Sequence, residues 1–143
     1  MKKPTNDIAM NNKITSKILI LLFVIAIAYL FVQYREEENY LKKNGTVLKA
    51  SVTGYTLSKS SLLIKYSFIY KQKSYYDMKS AKQLQSRDVS KFLTGKSFPL
   101  ILSKEDLENN ALLIFREDFE RYNLVYPDSL KWVCDSLKLK DCN

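Results

Sequence analysis

The chain of 143 residues contains no histidine. That removes the commonest general base, the commonest transition-metal ligand and the usual switch near neutral pH. No Ser-His or Cys-His pair can be assembled for nucleophilic catalysis. Two cysteines without a histidine do not complete a structural zinc ligand set. Glycine and proline number three each, which leaves little material for a flexible linker and none for a glycine-rich phosphate loop. No metal or cofactor is therefore expected, no catalytic residue is nominated, and the expectation is a protein that is not an enzyme. Tryptophan occurs once, at Trp132.

What is present is apolar, aromatic and basic. Hydrophobic residues make up 46% and charged residues 27%, a globular balance. Ten tyrosines and seven phenylalanines favour strands. The net charge of +8 is unevenly spread. Residues 59–96 hold nine Lys and Arg against Asp77 and Asp88, whereas 105–120 holds Glu105, Asp106, Glu108, Glu117, Asp118 and Glu120 against Arg116. The acidic residues match no calcium-loop spacing and are expected on a solvated surface.

The strongest signal is an uninterrupted apolar run of 15 residues, Ile18 to Val32. A helix over 14–34 is about 31 Å long, enough for a hydrocarbon core of about 30 Å. Lys17 can snorkel at one end, and Tyr29 and Tyr34 suit the interface at the other. A cleaved signal peptide is the competing reading, because Ala26-Ile27-Ala28 is an A-x-A match. Four more apolar residues follow that site, and no lipobox cysteine is present, so an uncleaved anchor is expected. Lysines lie on both sides of the span. Lys17 abuts it and only a short tail precedes it, which favours the N-terminus inside and the remainder translocated.

The expected organisation is a cytoplasmic tail over 1–13, a transmembrane helix over 14–34, a juxtamembrane stalk over 35–44, a small β-rich domain over 45–133 and a C-terminal tail over 134–143. Gly45 suits a left-handed helix cap. In "TVLKASVTGYTL", Leu48, Ala50, Val52 and Gly54 share one phase of a half-buried strand. "LLIKYSFIYK" places Ile64, Tyr66, Phe68 and Tyr70 on one face, and "SYYDMKS" follows after a turn. "SRDVSKFLTG" reads as a short helix with Ser86 as N-cap and Gly95 as C′. "KSFPLILS" is a fourth strand, whose Pro99 marks an edge or a strand start. "ALLIF" is a fifth, short strand. Helices follow at "REDFERYN" and after Pro127, the last with Leu130, Val133, Cys134 and Leu137 at i, i+3, i+4 and i+7. The fold class is α+β: one membrane helix, then a mostly antiparallel five-stranded sheet or open barrel with two or three short helices.

"VLKASVTGY", "IKYSFIYKQKSYYDMKS" and "TGKSFPLILSKEDLENNALL" together resemble a widespread bacterial family of membrane-anchored proteins with a small β-rich domain of unknown function. The resemblance spans residues 44–133. It departs at Gln72, where a hairpin glycine is usual, and in the loop 103–110, which lacks the family's prolines. It implies a bacterial inner-membrane location and this fold, and no catalytic residue.

Lys65, Lys71, Lys73 and Lys79 alternate with aromatic residues. A stacking platform for single-stranded nucleic acid is one reading. Tyr66, Phe68 and Tyr70 share a period of two, however, which is the pattern of a core face with lysines on the other side. Nucleic acid is not expected as a partner, while an anionic lipid surface stays open for these four lysines. Trp132 and Pro99 are the candidate contacts to another envelope protein, the latter through an open sheet edge.

Cys134 and Cys142 could pair. A continuous helix would hold their Cα atoms about 12 Å apart, beyond the ~7 Å limit for a disulfide. The apolar period lapses after Leu137, which leaves room for the tail to fold back. A bridge would contribute about 2.5 kcal/mol in an oxidising compartment, and two unpaired thiols are the alternative. The functional expectation is an extracytoplasmic binding or structural module. A membrane-tethered hydrolase and an envelope inhibitor or immunity-type protein are the alternatives.

Overall fold

The computed structural model describes residues 7–59, 61–81 and 84–138. The chain divides into two units, Met1–Asn39 and Tyr40–Asn143. The described residues of the first are helical. Helix α1 runs without a break over Asp7–Asn44, so its final turn belongs to the second unit. Its stretch Lys17–Asn44 is long and apolar enough to cross a membrane by length and composition. None of that stretch's most apolar window is buried by protein, unlike the core helix of a soluble domain.

The second unit is a curled antiparallel sheet with short helices. Its strands are β1 (Thr46–Leu57), β2 (Leu62–Tyr70), β3 (Lys73–Ser80), β4 (Ser97–Leu102) and β5 (Asn110–Leu112). Their spatial order is β3-β2-β1-β4-β5. Short helix α2, Ser86–Asp88, widens into a π-helical turn over Val89–Leu93. Helix α3 is Arg116–Arg121. A 3₁₀ turn, Asp128–Leu130, leads into α4, Lys131–Leu137.

The strand periodicity places the core. Ala50 and Val52 of β1, Ile64, Tyr66 and Phe68 of β2, and Phe98, Leu100 and Leu102 of β4 are all buried in one phase. Val89, Leu93, Phe119, Leu130 and Val133 from the helices join the same cluster. Phe68 stacks on its cross-strand partner Tyr75 with ring centroids 5.4 Å apart. Leu41, in the last turn of α1, is only 2% exposed. A leucine buried to that degree contributes about 2 kcal/mol.

Three local expectations are corrected. Gly45 does not take a left-handed conformation. Its value lies in close approach, since a Cβ there would meet the Leu41 carbonyl and the Ile101 side chain. Ser86 is the first helical residue, with Gln85 as the extended N-cap. Gly54 keeps the half-buried phase of Leu48, Ala50 and Val52, although a bulge between Val52 and Gly54 shifts the register and sets Gly54 opposite Lys65. A bulge adds one unpaired residue, which here moves the pairing with β2 by one position. Finally, Pro99 does not mark an edge, because β4 lies between β1 and β5. Its carbonyl accepts the Leu113 N–H at 2.8 Å. The N and C=O of a strand residue point to the same side, so the missing N–H faces the end of β5 and not the β1 ladder.

Gly95 behaves as expected. It has φ +79° after the π turn and donates its N–H to the Val52 carbonyl at 2.8 Å.

Candidate functional site

The two sheet edges, β3 and β5, are brought together by side chains rather than by a backbone ladder. Tyr66 projects from β2 across the interior, and its hydroxyl donates to Asn110 Oδ1 at 2.7 Å. Asn110 Nδ2 donates to Asp77 Oδ2 at 2.9 Å and to the Leu107 carbonyl at 2.9 Å. One turn of the pleat further along β3, Lys79 Nζ donates to the Leu112 carbonyl at 2.8 Å and pairs with Asp118. Asp118 Oδ2 also accepts the N–H groups of Ile114 and Phe115, each at 2.9 Å. One carboxylate thus neutralises an inward lysine and satisfies two free donors at the start of α3.

This arrangement explains the titration behaviour. Burial pulls the Lys79 ammonium below the ordinary lysine range, with the Asp118 charge opposing the shift. Burial first, and then the charge of Asp77, pushes the Tyr66 phenol above its ordinary value. Burial likewise raises Tyr126, whose hydroxyl donates to the Leu130 carbonyl at 2.7 Å. Lys79 directs its ammonium at Asp118 and a backbone carbonyl.

Lys79 therefore leaves the set of outward lysines. It sits in the inward phase of β3 with Tyr75 and Asp77, and its side chain is 19% exposed. Lys65, Lys71 and Lys73 are exposed as expected. Asp118 is also turned inward, unlike its exposed neighbours Glu117 and Glu120.

The remaining two candidates, Pro99 and Trp132, come together in one cleft of about 510 Å³. β4 supplies Phe98 and Pro99, the turn before α4 supplies Ser129 and Leu130, and α4 supplies Trp132. Trp132 packs against Phe98 at a tilt, with centroids 6.1 Å apart. Lys49 and Lys96 stand at the same cleft. The size falls within the range of small-ligand and peptide side-chain pockets. An aromatic wall beside two ammonium groups suits an apolar group carrying a carboxylate or another anion.

Lys49, Lys96 and Ser129 were not legible as site residues, because nothing local links them to Trp132. The inward phase of Lys79 was legible, since "SYYDMKS" puts Tyr75, Asp77 and Lys79 in one parity. Cys134 is buried in α4 and is not a free thiol. Cys142 lies outside the described residues, so its pairing with Cys134 is carried forward as a proposal. Helix α4 stops at Leu137, with Lys138 left-handed, as the lapse in apolar period suggested.

No protein-family model, curated protein or solved structure matches the chain.

Proposed function

We propose that this chain is a single-span membrane protein whose β-rich unit is a binding module for another envelope protein, with the Pro99–Trp132 cleft as its docking site. The carrying observation is that two residues 33 positions apart in sequence line one cleft together with Lys49 and Lys96. The partner segment is a short peptide with an apolar anchor and a carboxylate. The apolar helix supports a membrane location. The bacterial inner membrane, with the N-terminus inside and the β-rich unit outside the cytoplasm, is the setting the sequence favours, and there a Cys134–Cys142 bridge would form.

The test is photocrosslinking in intact cells with a benzophenone amino acid at Ser129 of the full-length chain. A discrete adduct is expected that disappears with Trp132→Ala and weakens with Lys49→Glu/Lys96→Glu. An adduct indifferent to these substitutions, or none at all, would overturn the cleft reading. Labelling of the cysteines by a membrane-impermeant maleimide tests topology in the same cells. Labelling only after an impermeant reductant is expected. Labelling only after permeabilisation would place the unit in the cytoplasm.

A further inference from the structure

The outer face of the β2–β3 hairpin carries exposed apolar side chains without a cover. Ile69 is 69% exposed, Tyr76 77% and Met78 52%. The register sets Tyr76 opposite Ser67, Ile69 opposite Ser74 and Met78 opposite Lys65. Ile69 and Tyr76 are thus diagonal neighbours on one surface, and Met78 lies two residues beyond Tyr76 on the same side. Small serines separate them. Lys65 lies within this patch and Lys71 at the hairpin tip, both exposed; Lys73 is exposed too, but it pairs with Tyr70 and so belongs to the opposite phase. The hairpin's single acidic residue, Asp77, is in the opposite phase and held by Asn110. The outward surface is therefore apolar and aromatic with positive charge and no negative charge of its own.

The tip has a second peculiarity. Lys71 and Gln72 both take positive φ, +48° and +63°. Asparagine and glycine are the residues that suit such a two-residue turn. Lysine at this tip goes against local conformational preference.

We propose that this face docks on the headgroup region of a bilayer containing anionic phospholipid, with Ile69, Tyr76 and Met78 entering the interface and Lys65 and Lys71 facing the phosphates. Tyrosine and lysine are the side chains that sit at the boundary between acyl chains and water, with apolar body and polar tip at different depths. Each lysine near an anionic surface contributes attraction that a salt solution screens. The chain's own membrane helix keeps the unit near lipid, so even a weak surface contact is populated through effective concentration. Charge complementarity favours an anionic bilayer over an uncharged one. Lys79, turned inward, takes no part.

The experiment uses the full-length chain with Tyr76→Trp and Trp132→Phe, so that the introduced tryptophan is the only one. The protein is reconstituted into phosphatidylcholine vesicles containing brominated lipid, with and without phosphatidylglycerol. Quenching is expected to be about twofold or more stronger with phosphatidylglycerol and to fall as salt is raised. The double variant Lys65→Glu/Lys71→Glu, added to the same background, is expected to abolish the difference. A second measurement needs no substitution: amide exchange of the wild-type chain in nanodiscs should slow over residues 69–78 when anionic lipid is present. Absence of quenching, equal quenching in both lipids, or unchanged exchange would overturn the proposal. A protein occupant of this face would give that negative result. The cleft variants at Lys49 and Lys96 should not affect any of these readouts, so failure here is separable from failure of the cleft reading.

Discussion

Tyr66 shows how one side chain can be both core and polar connector. Its ring is 2% exposed, while its hydroxyl reaches Asn110 on β5. Removing the hydroxyl by Tyr66→Phe keeps the ring but leaves Asn110 without that donor, a loss of about 1 kcal/mol at neutral pH. The pH dependence has a definite sign. The native phenol keeps its proton above the ordinary value of about 10 for an unfolded tyrosine, because burial and Asp77 disfavour the phenolate. The native state therefore binds more protons than the unfolded state from that point up to the raised native value. This stabilisation is complete below pH ~10 and is lost as pH rises towards the native value. Thermal unfolding in detergent, followed across the alkaline range, should show a shallower decline for Tyr66→Phe than for wild type. Parallel declines would mean that the phenol's titration is not linked to folding.

The β2–β3 hairpin is the clearest case at the scale of an element. Its strand periodicity was readable: Ile64, Tyr66 and Phe68 are all buried, as their spacing indicated. Its turn was readable only as a turn. Two L-residues at positive φ each carry a conformational cost of roughly 1 kcal/mol. Replacing them with Lys71→Asn and Gln72→Gly should therefore raise stability by about 1 kcal/mol, measurable as a higher unfolding midpoint. No gain would indicate that the side chains of Lys71 and Gln72 already offset the strain. The bulge in β1 belongs to the same scale. "ASVTGYTL" looks like one alternating strand, and its burial does alternate throughout, but only pairing with β2 reveals the register shift between Val52 and Gly54.

The whole second unit depends on closing a curled sheet whose edge strands share no ladder. Two bridges do this: Asp77 to Asn110, and Lys79 to Leu112 and Asp118. Their roles are unequal. Asp118→Ala strands a largely buried ammonium and leaves two backbone N–H groups of the α3 start without their acceptor, which should cost about 3 kcal/mol. Lys79→Met leaves a carboxylate that still accepts both N–H groups, and an apolar side chain fits the neighbouring Ile64 position, so it should cost about 1 kcal/mol or less. Urea unfolding of the two variants in detergent decides the point, and equal losses would refute the asymmetry.

The long apolar helix, the five strands and the last helix's buried stripe were legible in the sequence by itself, because each is encoded in a local period or an unbroken apolar run. The pairing of Lys79 with Asp118 39 positions away, the interior place of Pro99 and the meeting of Pro99 with Trp132 were decided only by the tertiary structure. Those outcomes depend on strand order, on one bulge and on how far the sheet curls. These are long-range properties set by the packing of the whole unit, and no short window of sequence carries them.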